Sequence, residues 1–271
     1  MTLPPDREAF ADTSNPMGIE GVEYIEYRVG RPQALGQVLE LMGFSPVARH
    51  RSREVLLYRQ GDMNVIINAH AGEGTRAAPL PEVPAIAAIA LRVRDAAAAH
   101  RRALDLGAWD VPVQVAPMEL HIPAIHGVGS SRIYFVDRHP PAMAGLRWFG
   151  IVQYIGPQRS EDWIAFYREL FGFEELGDDR ETGVLPTGRV LKSPDGSLQL
   201  QLIEPDPLVT DGTERLQRIA LGAPDVPAAA AALKARGVHF VETQRLHVDV
   251  RGALTQSWLG GLMFELIHVD A

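Results

Sequence analysis

The sequence predicts an α+β protein made of four repeated βαβββ units, taken as two pairs. Three observations lead there. Segments echo one another: VLELMGFSPV (38–47) matches YRELFGFEEL (167–176), and RDAAAAHRRALDLGAW (94–109) matches PDVPAAAAALKARGVH (224–239). Self-similarity of this kind marks a repeated architecture. Each matched segment holds a helical run stopped by glycine, at Gly43, Gly107, Gly172 and Gly237, the residue that most easily takes the left-handed conformation ending a helix. Finally, HPPAMAG (139–145) falls between the pairs, and proline clusters suit a connector that continues neither helix nor central strand.

Within the first unit, the Val/Ile/Tyr-rich run Gly21–Val29 reads as a strand and Pro32–Met42 as a helix. Strands near Val55–Arg59 and Met63–Asn68 close it. The second opens at Ile86–Val93, continues as a helix over Asp95–Leu106, and closes near Pro112–Ala116 and Arg132–Asp137. The third has a strand at Trp148–Ile155 and a helix at Glu161–Phe171. Its later strands, near Val184–Lys192 and Leu198–Ile203, are joined by the turn SPDG. The fourth opens at Leu216–Gly222, carries an alanine-rich helix at Val226–Arg236, and closes near Leu246–Arg251 and Leu262–Val269. The alanine runs 96–99 and 228–232 are helix-packing faces without chemistry.

A chain of 271 residues, 46% hydrophobic and 22% charged, has the make-up of an ordinary globular protein with room for two domains. Lys and Arg number 26 against 34 Asp and Glu, a net charge of −8; this argues against broad nucleic-acid or anionic-membrane binding. The absence of cysteine excludes disulfides, thiolate metal sites and cysteine nucleophiles. The polar, proline-bearing residues 1–15 read as a loose arm without the basic-then-apolar pattern of a secretory signal. No run approaches membrane-span length, so a soluble cytoplasmic protein is expected. The expected divisions are the arm 1–15, a first domain 16–138, a linker 139–146 and a second domain 147–271.

Residues 15–138 resemble the N-terminal half of 4-hydroxyphenylpyruvate dioxygenase, through NPMGIEGVEYIEY, HRSREVLLYRQGDMNVIIN and APMELHIPAIHGVGSSRIYFVDR. The second half is similar through shorter runs, FYRELFGF, SPDG and FELI. Four βαβββ units in two pairs also resemble the vicinal-oxygen-chelate superfamily, whose paired units curl their sheets into open cups. The resemblance implies two open-barrel domains, the first structural and the second holding iron on two histidines and one carboxylate. It puts the carboxylate ligand at Glu265, and Gly150 and Arg218 where the histidines stand. Glycine offers no ligand and arginine is a permanent cation without a lone pair to give. Two further departures from the resembled family are a short segment at 237–250 and no gating helix after Glu265; the second implies a wetter pocket than the parent reaction suits.

Strand alternation then selects the cup-facing residues. Trp148, Gly150 and Val152 share one face of the third unit's first strand; Leu216, Arg218 and Ala220 share one face of the fourth's. Glu265 points in with Met263 and Ile267, and Gln199, Gln201 and Ile203 line the strand after SPDG. The resembled family's glutamine on the strand before the closing one falls at Gly252 or, shifted, Arg251. With Gly150 freeing space, Arg218 is an anion anchor and Glu265 a general base or an orienter of the arginine; alternatively the two form an internal salt bridge filling a lost metal site. Trp148, Trp258, Gln199 and Gln201 are the candidate substrate-binding residues. In the first half the equivalent inward set is Tyr24, Ala88 and Tyr134, no metal site, with Glu26 as a rim carboxylate. His121 and His126 read as surface positions; His247 with Asp249 is a weak metal pair, and His239 begins a strand.

The leading expectation is a metal-independent enzyme moving protons on a small aromatic or carboxylated metabolite, as an isomerase, dehydratase or lyase. One alternative is an Fe(II) oxygenase of the dioxygenase type, with Glu265 as a ligand and histidines drawn from His239, His247 and His268. Another is a binding protein for an aromatic ligand without turnover. Self-association as a homo-oligomer is left open.

Overall fold

The computed structural model describes residues 14–50, 53–71, 79–112, 122–137, 146–177, 188–205, 212–243 and 246–270. They form two mixed seven-stranded sheets with four helices, an α+β arrangement of two open cups. The first half runs β1 (Ile19–Arg28), α1 (Pro32–Leu41), β2 (Ser45–Arg49), β3 (Val55–Gln60), β4 (Met63–Asn68), β5 (Ala85–Val93), α2 (Ala96–Asp105), β6 (Ala124–His126) and β7 (Arg132–Val136). The second runs β8 (Arg147–Tyr154), α3 (Ser160–Phe171), β9 (Glu174–Leu176), β10 (Arg189–Lys192), β11 (Gln199–Ile203), β12 (Arg215–Ala223), α4 (Val226–Ala235), β13 (Gly252–Leu254) and β14 (Phe264–His268).

Strand orders are β2-β3-β4-β1-β5-β7-β6 and β13-β14-β12-β8-β11-β10-β9, so the halves repeat one topology and neither sheet closes on itself. In each, the opening strands of the paired units lie antiparallel at the centre, flanked by parallel partners.

Local chemistry explains the helices. Asp95 and Asp225 cap α2 and α4, accepting from Ala98 N at 2.8 Å and Ala228 N at 2.9 Å. Glu161 and Asp162 in the first turn of α3 and Arg168 in its last complement the helix dipole. All four expected stop glycines have positive φ, between +73° and +97°. Leu35, Val38 and Leu39 on α1, and Ile164, Tyr167 and Phe171 on α3, are buried at helical spacing. The two cores are continuous: Phe171 stacks on Phe135 at 6.4 Å, and Trp148 packs on Phe44 at 6.4 Å.

Some expectations need correction. Three strands fell outside the sequence reading: β2, exposed throughout, β6, and β9. The last unit's penultimate strand is Gly252–Leu254 rather than Leu246–Arg251, because Asp249 Oδ1 accepts from Arg251 N at 2.8 Å and Gly252 N at 3.0 Å, holding that stretch as a turn. The expected strand at 112–116 falls mostly outside the described residues, as do residues 184–187, His121, the linker before Leu146 and most of the N-terminal arm. Asn15, expected in that arm, is anchored: its side chain exchanges two hydrogen bonds with the Ile19 backbone. No helix among the described residues is long and apolar enough to cross a membrane.

Candidate active site

Residues paired across β-strands share a face, so strand register identifies the inner surface of the second cup. One row reads Lys192, Gln199, Gly150, Ala220, Glu265, Leu254, from β10 across to β13. The next reads Val190, Gln201, Val152, Arg218. Gly150, Arg218, Glu265, Gln199 and Gln201 therefore face one space, and Gly252, opposite Ile267, faces it too.

Arg218 and Glu265 are 4% and 2% exposed, and Arg218 Nε lies 3.3 Å from Glu265 Oε2. The guanidinium is only partly used: its Nη2 is buried without a hydrogen-bond partner. Burying an unpaired donor on a cation is costly. Beside Glu265 is a narrow cleft of about 20 Å³, lined also by Phe149, Gly150, Gln199, Gln201 and Ala220 among others, with Arg218 outside its lining. That volume admits one water-sized group.

Gly150 does not leave a histidine-shaped space. A Cβ there would lie 2.9 Å from the Gln199 carbonyl oxygen and 3.5 Å from Ala220 Cβ, so β11 has closed over the position. The expectation that this glycine frees room is corrected.

Two β-bulges redirect other candidates. Between the pairs Ala220↔Gly150 and Leu221↔Trp148, β8 carries the extra residue Phe149, and a bulge breaks the two-residue alternation. Phe149 therefore joins the cleft lining, while Trp148 shares the face of core residue Leu221 and packs on Phe44. Between Leu216↔Gln153 and Arg218↔Val152 the extra residue is Gln217; Leu216 accordingly pairs with Gln153, away from the cup. Trp258 is also outside the cleft lining, edge-on to Phe264 at 6.2 Å. Sequence reasoning missed Phe149, Val190 and Leu254, the first because parity counting presumes an unbroken register.

The residues present do not fit an iron held by two histidines and a carboxylate. At the two histidine positions stand glycine and a cation already turned toward the remaining carboxylate. His239, His247 and His268 are exposed whereas Glu265 is buried, so they do not converge with it. Among the described residues, no three His, Cys, Asp or Glu are grouped to hold a metal ion.

The first cup differs. One row reads Ile66, Glu26, Ala88, Arg132, His126 and its neighbour Asn64, Tyr24, Ala90, Tyr134, Ala124. Glu26 is no bare rim carboxylate: Asn68 Nδ2 donates to it at 2.8 Å, and burial pushes its carboxyl above the ordinary range, against the lowering effect of Asn68 and Arg132. Tyr24 and Tyr134 lie 6.1 Å apart, and burial pushes Tyr24 upward as well.

Paired βαβββ units opening into two such cups define a vicinal-oxygen-chelate protein. Comparison with known proteins agrees. Residues 13–146 match the family model described as hydroxyphenylpyruvate dioxygenase, HPPD, N-terminal, and residues 154–254 match that of the glyoxalase/bleomycin resistance protein/dioxygenase superfamily. The chain is similar to that superfamily and resembles 4-hydroxyphenylpyruvate dioxygenase. It is 34% identical over 214 residues to the 4-hydroxyphenylpyruvate dioxygenase of Pseudomonas sp. (strain P.J. 874), covering 70% of this chain and 59% of that one. It is 32% identical over 263 residues to the 3-dehydroshikimate dehydratase of Pseudomonas aeruginosa, covering 85% of this chain and 41% of that one. A solved xylose isomerase-like TIM barrel/4-hydroxyphenylpyruvate dioxygenase fusion protein superposes with a TM-score of 0.72 at 26% identity, over 93% of this chain and 50% of that one. The chain thus spans less than two thirds of each of these relatives.

Proposed function

We propose that the chain is a metal-independent enzyme that moves a proton on a small carboxylated metabolite, with residues 16–138 as scaffold and 147–271 as the site-bearing domain. The observation carrying this reading is the buried, unpartnered Nη2 of Arg218 beside the Glu265 carboxylate. Arg218 receives a carboxylate or enolate oxygen of the substrate and stabilises the negative charge that develops as a carbon–hydrogen bond breaks. Glu265 takes the proton and either returns it to the same or a neighbouring carbon, which is isomerase chemistry, or delivers it to the oxygen of a departing β-hydroxyl as the carbon–oxygen bond breaks and water leaves, which is dehydratase or lyase chemistry. Gln199 and Gln201 orient the substrate from β11. A cytoplasmic location and self-association belong to the same proposal.

Relatives named as a dioxygenase and as a dehydratase leave the reaction class to the site itself. The test is exchange of the C3 protons of phenylpyruvate in D2O, followed by NMR and corrected for buffer. Exchange should be accelerated by the chain, persist after chelation, and be lost in Glu265→Gln with binding retained. Exchange undiminished in that variant removes Glu265 as the base. Stoichiometric iron whose removal abolishes activity overturns metal independence.

A second reading, a binding protein without turnover, is favoured by the narrowness of the cleft, which as built takes only a water-sized group. It predicts ligand binding that Arg218→Met abolishes, with no catalysed exchange in any variant.

A further inference from the structure

The concave face of the first sheet carries a set of charges with no part in the Arg218–Glu265 site. Along β1, Tyr24, Glu26 and Arg28 alternate on that face and are half-buried, while Ile25 and Tyr27 turn into the core. Strand β3 adds Arg59, opposite Asn64 and so in the row of Tyr24, and β7 adds Arg132 in the row of Glu26. Between β1 and β7 the floor is alanine, with Ala88 and Ala90 buried, and such short side chains leave the walls standing above them. The arginines are half-buried or exposed, so a molecule entering from solvent reaches them.

Three arginines therefore face one cup, and among the described residues none of them is in an ion pair. A fourth on that face, Arg92, is already taken, its Nε 3.0 Å from Glu23 Oε2. Arg28 and Arg132 act on the Glu26 carboxyl through space without touching it, because Asn68 Nδ2 holds that carboxyl at 2.8 Å. The chain as a whole carries a net charge of −8, so this excess of cations is local and does not follow from composition. Two of the guanidinium groups are also aimed. Arg59 Nε donates to Asn64 Oδ1 at 2.8 Å, and Arg132 Nη1 donates to the Tyr134 hydroxyl at 3.3 Å. Each is held through one nitrogen, which leaves another edge of its fork for a carboxylate.

We propose that the first cup is a second binding site, taking a small organic dicarboxylate. The half that serves the reaction as scaffold thus holds a ligand of its own, and this inference does not depend on Arg218 or Glu265. The spread of the cations selects the ligand. They stand on three strands, and β1 and β7 are two strand spacings apart, roughly 9.5 Å. A compact phosphate suits cations gathered at one point; two carboxylates joined by a short carbon chain suit cations spread in this way. The alanine floor receives the chain. Tyr24, which burial keeps as a neutral phenol, offers a hydroxyl donor beside them.

The test uses the full chain at low salt with succinate, its four-carbon monocarboxylate match butyrate, and inorganic phosphate as the compact anion, by calorimetry. Succinate should bind at least about tenfold more tightly than butyrate, the worth of one charge-assisted contact. Arg28→Gln, Arg59→Gln and Arg132→Gln should each weaken succinate by about tenfold and bring it closer to butyrate. Glu26→Gln keeps the bond to Asn68 and removes the acid beside the arginines, so succinate should bind at least as tightly, which a disrupted cup would not allow. Arg218→Met, in the second cup, should leave succinate binding unchanged, so failure of the proposed reaction and failure of this site are read separately. Equal affinities for succinate and butyrate, phosphate bound more tightly than succinate, or binding unmoved in the Arg28→Gln/Arg132→Gln double variant overturns the proposal. So does weakening in Glu26→Gln, loss in Arg218→Met, or no succinate bound at millimolar concentration.

Discussion

Removing one member of the Arg218–Glu265 pair should be far more damaging than removing both. The two groups are 4% and 2% exposed with Nε and Oε2 3.3 Å apart. Unit charges at that separation attract by about 5 kcal/mol at an effective dielectric constant of about 20, an upper figure because each charge is spread over several atoms. Arg218→Met leaves a buried carboxylate without its cation, and Glu265→Gln leaves a buried cation facing a neutral amide. Each should cost about 3–5 kcal/mol, the range for breaking buried pairs. Arg218→Met/Glu265→Leu replaces the pair by apolar groups and should return to within about 1 kcal/mol of the parent. The assay is urea unfolding followed by fluorescence and circular dichroism, with the coupling energy taken from the four-member cycle. Single-variant costs below about 1 kcal/mol, the value of a solvated surface pair, would refute the burial on which the site rests.

Three further outcomes are expected. Because burial raises the Glu26 carboxyl in the folded state, the native protein holds that proton longer than the unfolded chain, and stability declines as pH rises above the unfolded value near about 4.3. Glu26→Gln, still able to accept from Asn68, should flatten the fall in Tm as pH rises above that unfolded value; an unchanged slope discards the assignment. Gly150→Ala pushes a methyl to 2.9 Å from the Gln199 carbonyl oxygen and should lower stability by about 1–3 kcal/mol, measured by denaturant midpoint. Asp225→Ala removes the bond to Ala228 N and should cost about 0.5–2 kcal/mol, with the cleft unaffected.

What the sequence revealed and what it hid follow from how far each signal travels. Helices α1 to α4 were legible because their stop glycines and the echoes between units are local, and their ends fell within a residue of expectation. Opening strands β1, β5, β8 and β12 were legible as dense Val, Ile and Leu runs. Strand β2 was not, since all five residues are exposed and nothing alternates; β6 and β9, three residues each, are too short to show a period. At the cleft, Gly150, Arg218 and Glu265 could be set on one face because no bulge lies between the rows that hold them. Trp148 was misassigned one step beyond a bulge, and no feature of RWFGIVQY announces that Phe149 is the extra residue. The closeness of β11 to Gly150 was equally hidden, because a backbone approach between distant strands leaves only a glycine as its trace.

That approach also gives the protein a direction in sequence space. With the Gln199 carbonyl oxygen 2.9 Å from where a β-carbon on Gly150 would stand, a histidine fits there only if β8 and β11 shift apart. The position favours glycine, and each added side-chain atom has to be met by a shift of the neighbouring backbone. Any attempt to place a larger side chain at this position should therefore begin by loosening the start of β11 at Gln199, and introduce the new residue only afterwards.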